Sequence, residues 1–106
     1  MNKIFTDNGW KDYVYWQTED RKTLKKINNL IDDICRNGNV GIGKPEPLTG
    51  NLVGFWSRRI NDKERLIYKV DSGNVYIRYI IIIFYNSSTL LLFSIALALF
   101  NYAEMP

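Results

Sequence analysis

The sequence predicts an α+β domain, two N-terminal helices packed on an antiparallel sheet, followed by an apolar C-terminal extension. Three observations predict it. Apolar residues recur at helical spacing as far as Ile34, and from Leu52 the texture turns to strand. The strand half is punctuated by compact turn signals, NDK and DSGN. At 106 residues the chain has room for one modest core, not two.

Lys3 to Thr6 reads as a short strand, and Asp7 or Asn8 can cap a first helix that carries Trp10, Tyr13 and Trp16 and ends near Thr18. An aromatic stripe at this spacing is core, so both tryptophans are expected to pack. A second start signal, TED, opens a helix in which Leu24, Ile27, Leu30, Ile31 and Ile34 share one face, with lysines and acids on the other. Asn37 to Gly43 holds three glycines and reads as a loop, because GIG lacks the rest of a nucleotide-binding signature. VGFWSRRI, ERLIYKV and VYIRYIIII then follow as hairpin-linked strands. Helices first and strands afterward place the helical pair on one sheet face.

Composition narrows the chemistry. A net charge of +3 with 14% aromatic residues fits contact with a phosphate-rich polymer, and fits an ordinary slightly basic domain equally well. No histidine occurs, which removes histidine-based triads and histidine metal sites, and the sequence calls for no metal or cofactor. The single cysteine, Cys35, cannot close an internal bridge and reads as an apolar filler in a reducing, cytoplasmic setting. MNKIFTDNGW has no apolar run of secretory length, so export is not expected.

Two stretches could carry chemistry. In GKPEPL, Pro45 fixes its own backbone angle and Pro47 biases Glu46 toward an extended conformation, so one carboxylate is presented with little backbone freedom. The same geometry suits a plain turn before a strand. Downstream, Arg58, Arg59, Lys63, Arg65 and Lys69 stand against only Asp62 and Glu64, interleaved with Phe55, Trp56 and Tyr68. If Trp56, Ile60, Leu66, Tyr68 and Val70 face the helices, then Phe55, Ser57, Arg59, Arg65, Ile67 and Lys69 share the open face. That grouping requires paired residues to sum to an even number, hence an odd loop or a bulge at NDK. A fixed carboxylate beside arginines suits RNA cleavage without metal: the base takes the 2′-hydroxyl proton, the oxygen attacks the adjacent phosphate, and guanidinium groups offset the growing charge. A solvated strand face would show the same charge pattern.

WKDYVYWQ, LKKINNLIDD, GKPEPL and NLVGFWSRRINDKERLIYKV closely resemble the Txe/YoeB toxins of the RelE-like superfamily, over residues 1 to 77 almost without gaps. The resemblance implies a small α+β ribonuclease of a type II toxin-antitoxin system that cuts mRNA in the ribosomal A site and inhibits translation. It further implies silencing by a YefM/Axe-like antitoxin, and a homodimer. Carried over by motif, Glu46 is the general base, Arg65 neutralises the phosphate, and Lys44 and Arg59 contact RNA; Arg58, Lys63 and Lys69 join them as basic candidates. Family members end in a His-Tyr pair, the histidine being the general acid. Here that pair falls on Ile83 and Phe84 or, slipped by one, on Phe84 and Tyr85. Tyr85 can keep the tyrosine role, but phenylalanine donates no proton. A toxin homologue that binds ribosome and antitoxin without cleaving therefore stands as the alternative.

The family pattern stops near residue 85, which divides the chain into a toxin domain, residues 1–85, and an apolar tail, residues 86–106. From Tyr79 to Ala103, 25 residues carry no charge. Three readings of the tail stand: a membrane span interrupted by Asn86 to Thr89, a helix against the domain or a dimer partner, and an out-of-frame gene end. The last is favoured because the match breaks off in mid-strand, and membrane contact is not favoured.

Overall fold

A computed structural model describes residues 1–82. Strand β1 (Asn2–Phe5) leads into helices α1 (Asp7–Glu19) and α2 (Arg21–Asn37); β2 (Glu46–Pro47), a short 3-10 turn, β3 (Trp56–Arg59), β4 (Glu64–Asp71) and β5 (Asn74–Ile82) follow. The strands form one sheet in the order β1-β5-β4-β3-β2. Strands β2 to β5 pair antiparallel, as the turn signals require. The outer strand β1 instead runs parallel to β5, so the sheet is mixed. No hairpin ties β1 to its neighbour, so no turn fixes its direction; the chain must leave β1 toward the helical layer. Thr6 secures that exit: its backbone N–H and its hydroxyl both donate to Ile77 O.

Thr6, rather than Asp7 or Asn8, caps α1, its Oγ1 accepting from Gly9 N at 3.0 Å. Asp20 caps α2 by accepting from Lys22 N and the Thr23 hydroxyl. The main core lies between the helices and the sheet, where Trp16, Ile27, Leu30, Ile31 and Ile34 meet Ile60, Leu66, Tyr68, Val75, Ile77 and Ile80. Trp16 is buried as expected, but Trp10 is 51% exposed, edge-on to Phe5 and stacked on Tyr13. Gly9 makes the close approach of α1 to β5 feasible, because a Cβ there would lie 2.1 Å from Ile77 O.

At NDK the strands pair Arg59↔Arg65 and Ser57↔Ile67, so the even-sum condition holds and both arginines share a face. Ser72 and Gly73, at φ 51° and 80°, close the β4–β5 hairpin with the two left-handed residues that match strand twist. The second sheet face is less open than the alternation suggests. The segment after β2 folds over its centre, burying Leu48 and Leu52 on Ile67 and Tyr79, with Phe55 and Ile81 at the margin.

Among the described residues no helix is long and apolar enough to cross a membrane. Tyr85, the boundary at residue 85 and the three readings of the tail lie outside the described residues.

Candidate active site

Glu46 reaches its place through two left-handed residues, Gly43 and Lys44 (φ 80° and 49°), which turn the chain into β2. Gly43 suits this turn because its φ of 80° is one that side chains rarely adopt, and a Cβ there would also lie 2.7 Å from Leu30 Cδ2 and 3.1 Å from Arg59 O. Gly43 O accepts from Arg59 N at 2.6 Å, and Leu48 N donates to Phe55 O at 2.9 Å, so the Pro-Glu-Pro segment is anchored to the sheet on both sides. Proline at 47 is tolerated because β2 is the outermost strand.

Register then places the groups. Glu46 pairs with Ser57, which pairs with Ile67, which pairs with Tyr79; this row crosses the sheet on the face away from the helices. Two residues along β3, about 7 Å away, Arg59 and Arg65 stand directly opposite each other on the same face. Like charges facing across a ladder are unfavourable. Glu46 is exposed and its carboxylate makes no hydrogen bond or ion pair among the described residues. Arg65 is only 4% exposed, its Nη1 donating to Asn61 O at 2.7 Å and Glu64 O at 3.0 Å. Those carbonyls orient that guanidinium. Of the other candidates, Lys44 and Lys63 are exposed, Arg59 and Lys69 half-buried.

Arg58 corrects the expectation of an RNA contact. It is fully buried on the helix-covered face, where Nη1 donates to Asp33 Oδ2 at 2.6 Å and to Ile42 O, Nη2 to Gly38 O and Val40 O, and Nε to the Tyr68 hydroxyl. The guanidinium beside Asp33, with further donors from Ile42 N and Asn37, holds that carboxyl below its usual range. Burial pushes the Tyr68 phenol up. Alternation already put residue 58 on the helix side with Trp56 and Ile60, and Asp33 among Leu30, Ile31 and Ile34 was the signal for a partner. Sequence reasoning also missed Arg78, which follows Ile77 onto the Glu46 face, and the β-bulge opposite Ile67 and Tyr68, which adds Tyr79 beside it.

Two helices packed on a five-stranded mixed sheet give the fold of the RelE-like toxins. The particular family follows from sequence: the model of the YoeB-like toxins of bacterial type II toxin-antitoxin systems matches residues 5–82, and the chain belongs to that family. It is 58% identical to Toxin YoeB of Streptomyces coelicolor over 69 residues, covering 65% of this chain and 82% of that protein. The fold superposes on the YoeB-YefM complex from Staphylococcus aureus with TM-score 0.72 and 46% identity, over 76% of this chain and 93% of that one. The YoeB dimer from the same species gives TM-score 0.71 at 47% identity, with the same coverage.

Proposed function

We propose that this toxin is a ribosome-dependent mRNA endonuclease, cutting in the A site and thereby stopping translation. The observation that carries the reading is the uncommitted Glu46 carboxylate, set in register two residues from the facing Arg59–Arg65 pair. Glu46 removes the 2′-hydroxyl proton; the freed oxygen bonds to the adjacent phosphorus, the bond to the departing 5′ oxygen breaks, and that oxygen takes up a proton from water. Arg65 and Arg59 offset the charge that builds on the phosphate, with Lys44, Lys63 and Lys69 along the RNA path. Base catalysis contributes about 10² to 10⁴-fold, and preorganised cations can match it. Tyr85 takes the tyrosine role within a toxin domain of residues 1–85. The S. aureus structures support a YefM-like antitoxin as partner and a homodimer as the assembly, and the setting is the cytoplasm.

A specific observation favours a second reading. The chain has no histidine to protonate the departing oxygen, so it could hold ribosome and antitoxin without cutting. Induced expression followed by primer extension separates the two: cleavage at A-site codons, reduced at least 10²-fold by Glu46→Gln, supports the enzyme. Ribosome association with intact mRNA supports the binder, and equal cleavage by both forms rejects Glu46 as the base.

A further inference from the structure

On the Glu46 face, the row beyond Ser57 and opposite the Arg59–Arg65 row belongs to Phe55 and Lys69. Lys69 Nζ sits 5.9 Å from the centroid of the Phe55 ring. Arg78 joins them by following the core residue Ile77, and a β-bulge then keeps Tyr79 beside it. Strand β4 pairs Ile67 with Tyr79 but Tyr68 with Ile77, so Arg78 is an extra residue on β5. The alternation breaks there. Val75, Ile77 and Ile80 belong to the helix-covered core, while Tyr79 and Ile81 belong to the other face. Arg78 and Tyr79 therefore address the same face in succession, and the Arg78 guanidinium lies 5.6 Å from the Phe55 ring and 5.4 Å from the Tyr79 ring.

Two cations thus share one aromatic ring, and no carboxylate compensates them: among the described residues the ion pair is Arg58 with Asp33. Arg78 Nε is buried without an acceptor, and the side chain as a whole is half-buried. Aromatic rings beside a guanidinium restrict its movement and leave its outward N–H groups as donors, an arrangement suited to phosphate.

We propose that Lys69 and Arg78, seated on Phe55, form a second phosphate-binding site for single-stranded RNA. It lies on the side of Glu46 opposite the Arg59–Arg65 pair. The inference rests on the RNA-cleaving or RNA-binding reading of the Glu46 face and adds to it a direction. The strand enters over one cationic row, passes Glu46 and leaves over the other, about 13 Å further along the strands. The bulge completes the site, since without it Tyr79 would turn into the helix-covered core.

The test is binding of the full chain to a fluorescein-labelled 2′-O-methyl RNA 12-mer, which cannot be cut, across a salt series by anisotropy. Each phosphate contact to a single strand contributes about 0.7 to the log–log salt slope, so Lys69→Gln with Arg78→Gln should reduce the slope by about 1.4 and weaken binding about 25-fold at 0.1 M relative to 1 M salt. Arg21→Gln with Lys25→Gln, on the helical side, serves as control and should change the slope by much less. An equal loss in that control, or an unchanged slope in the Lys69/Arg78 double variant, overturns the site. So does a double variant that loses binding to a labelled poly-glutamate peptide and keeps its RNA slope, which would assign the cations to an acidic protein partner. Circular dichroism of each variant confirms that it is folded. Ribosomal cleavage is read separately: absent cleavage with the predicted slope change sinks the enzyme and keeps the site, and cleavage with no slope change does the reverse.

Discussion

Arg58 and Arg59 are chain neighbours with the same side chain, and the pleat sends one into the core and the other to the Glu46 face. On the helix-covered face a cation is held by one carboxylate, a phenol and three loop carbonyls, every donor spent. On the other face Arg59 stands directly opposite Arg65 across the ladder. A cation surrounded by acceptors fastens loop 38–42 to the sheet; a cation facing another cation is, in the function proposed above, where the RNA phosphate is held. The two sides are also coupled, since the loop that Arg58 fastens continues into Lys44 and Glu46.

The comparison breaks most sharply at the buried pair. Arg58→Ala leaves the Asp33 carboxylate buried without its cation, and urea unfolding should show a loss of about 3–5 kcal/mol. Arg58→Met with Asp33→Leu removes both charges and should recover much of it; a double variant as unstable as the single one would show that the carbonyl bonds to Gly38, Val40 and Ile42 matter more than the ion pair. Acid reports on the same carboxyl. Because the folded state lowers Asp33 below the ordinary carboxyl value of 3.8, the stabilisation is fully present above that value and is lost as pH falls through the lower folded one. Stability measured from pH 5 downward should therefore fall less steeply in Asp33→Asn than in the parent chain. Tyr68 works in the opposite sense: its raised phenol stabilises below pH 10.0 and ceases to do so as pH climbs through the folded value.

The helices and hairpins were legible because their signals are local. Asp20 caps within its own neighbourhood, Ser72-Gly73 dictates its turn, and even-sum pairing at NDK follows once the apolar positions must share a face. The site was legible where alternation governs it, as for Arg59 and Arg65. What stayed hidden depends on distance or on a broken period. Arg58 meets Asp33 across 25 positions of chain. The parallel placement of β1 rests on contacts from Thr6 to Ile77, 71 residues away. The bulge at Arg78 falls inside an unbroken β-rich run, VYIRYIIII, where nothing in residue type marks the extra position. Trp10 reads as core because its spacing matches that of Trp16, yet α1 turns only the Trp16 side fully toward the sheet.

A smaller break tests how closely the helical layer sits on the sheet. Gly9→Ala places a methyl group 2.1 Å from Ile77 O, and backbone cannot yield as a flexible side chain would. Forcing α1 outward should cost about 1–3 kcal/mol. The displaced helix carries Trp16, whose indole donates to Ile80 O at 3.3 Å, so tryptophan fluorescence should shift along with the unfolding midpoint. A variant of unchanged midpoint would mean that α1 does not lean on β5 this closely.

The smallest effect is the most telling about the two faces, because its sign differs from that of its neighbour. Arg59 faces Arg65 across the ladder, and replacing it with threonine removes a like-charge pair while keeping a residue suited to a strand. Arg59→Thr should raise stability by about 0.2–1 kcal/mol in urea unfolding. The same variant should bind single-stranded RNA more weakly, with a salt slope lower by about 0.7. Arg58→Thr, one residue earlier, should instead lose stability. If Arg59→Thr destabilises the chain as well, its cation is a structural element like that of Arg58, and the phosphate-binding role proposed for it falls.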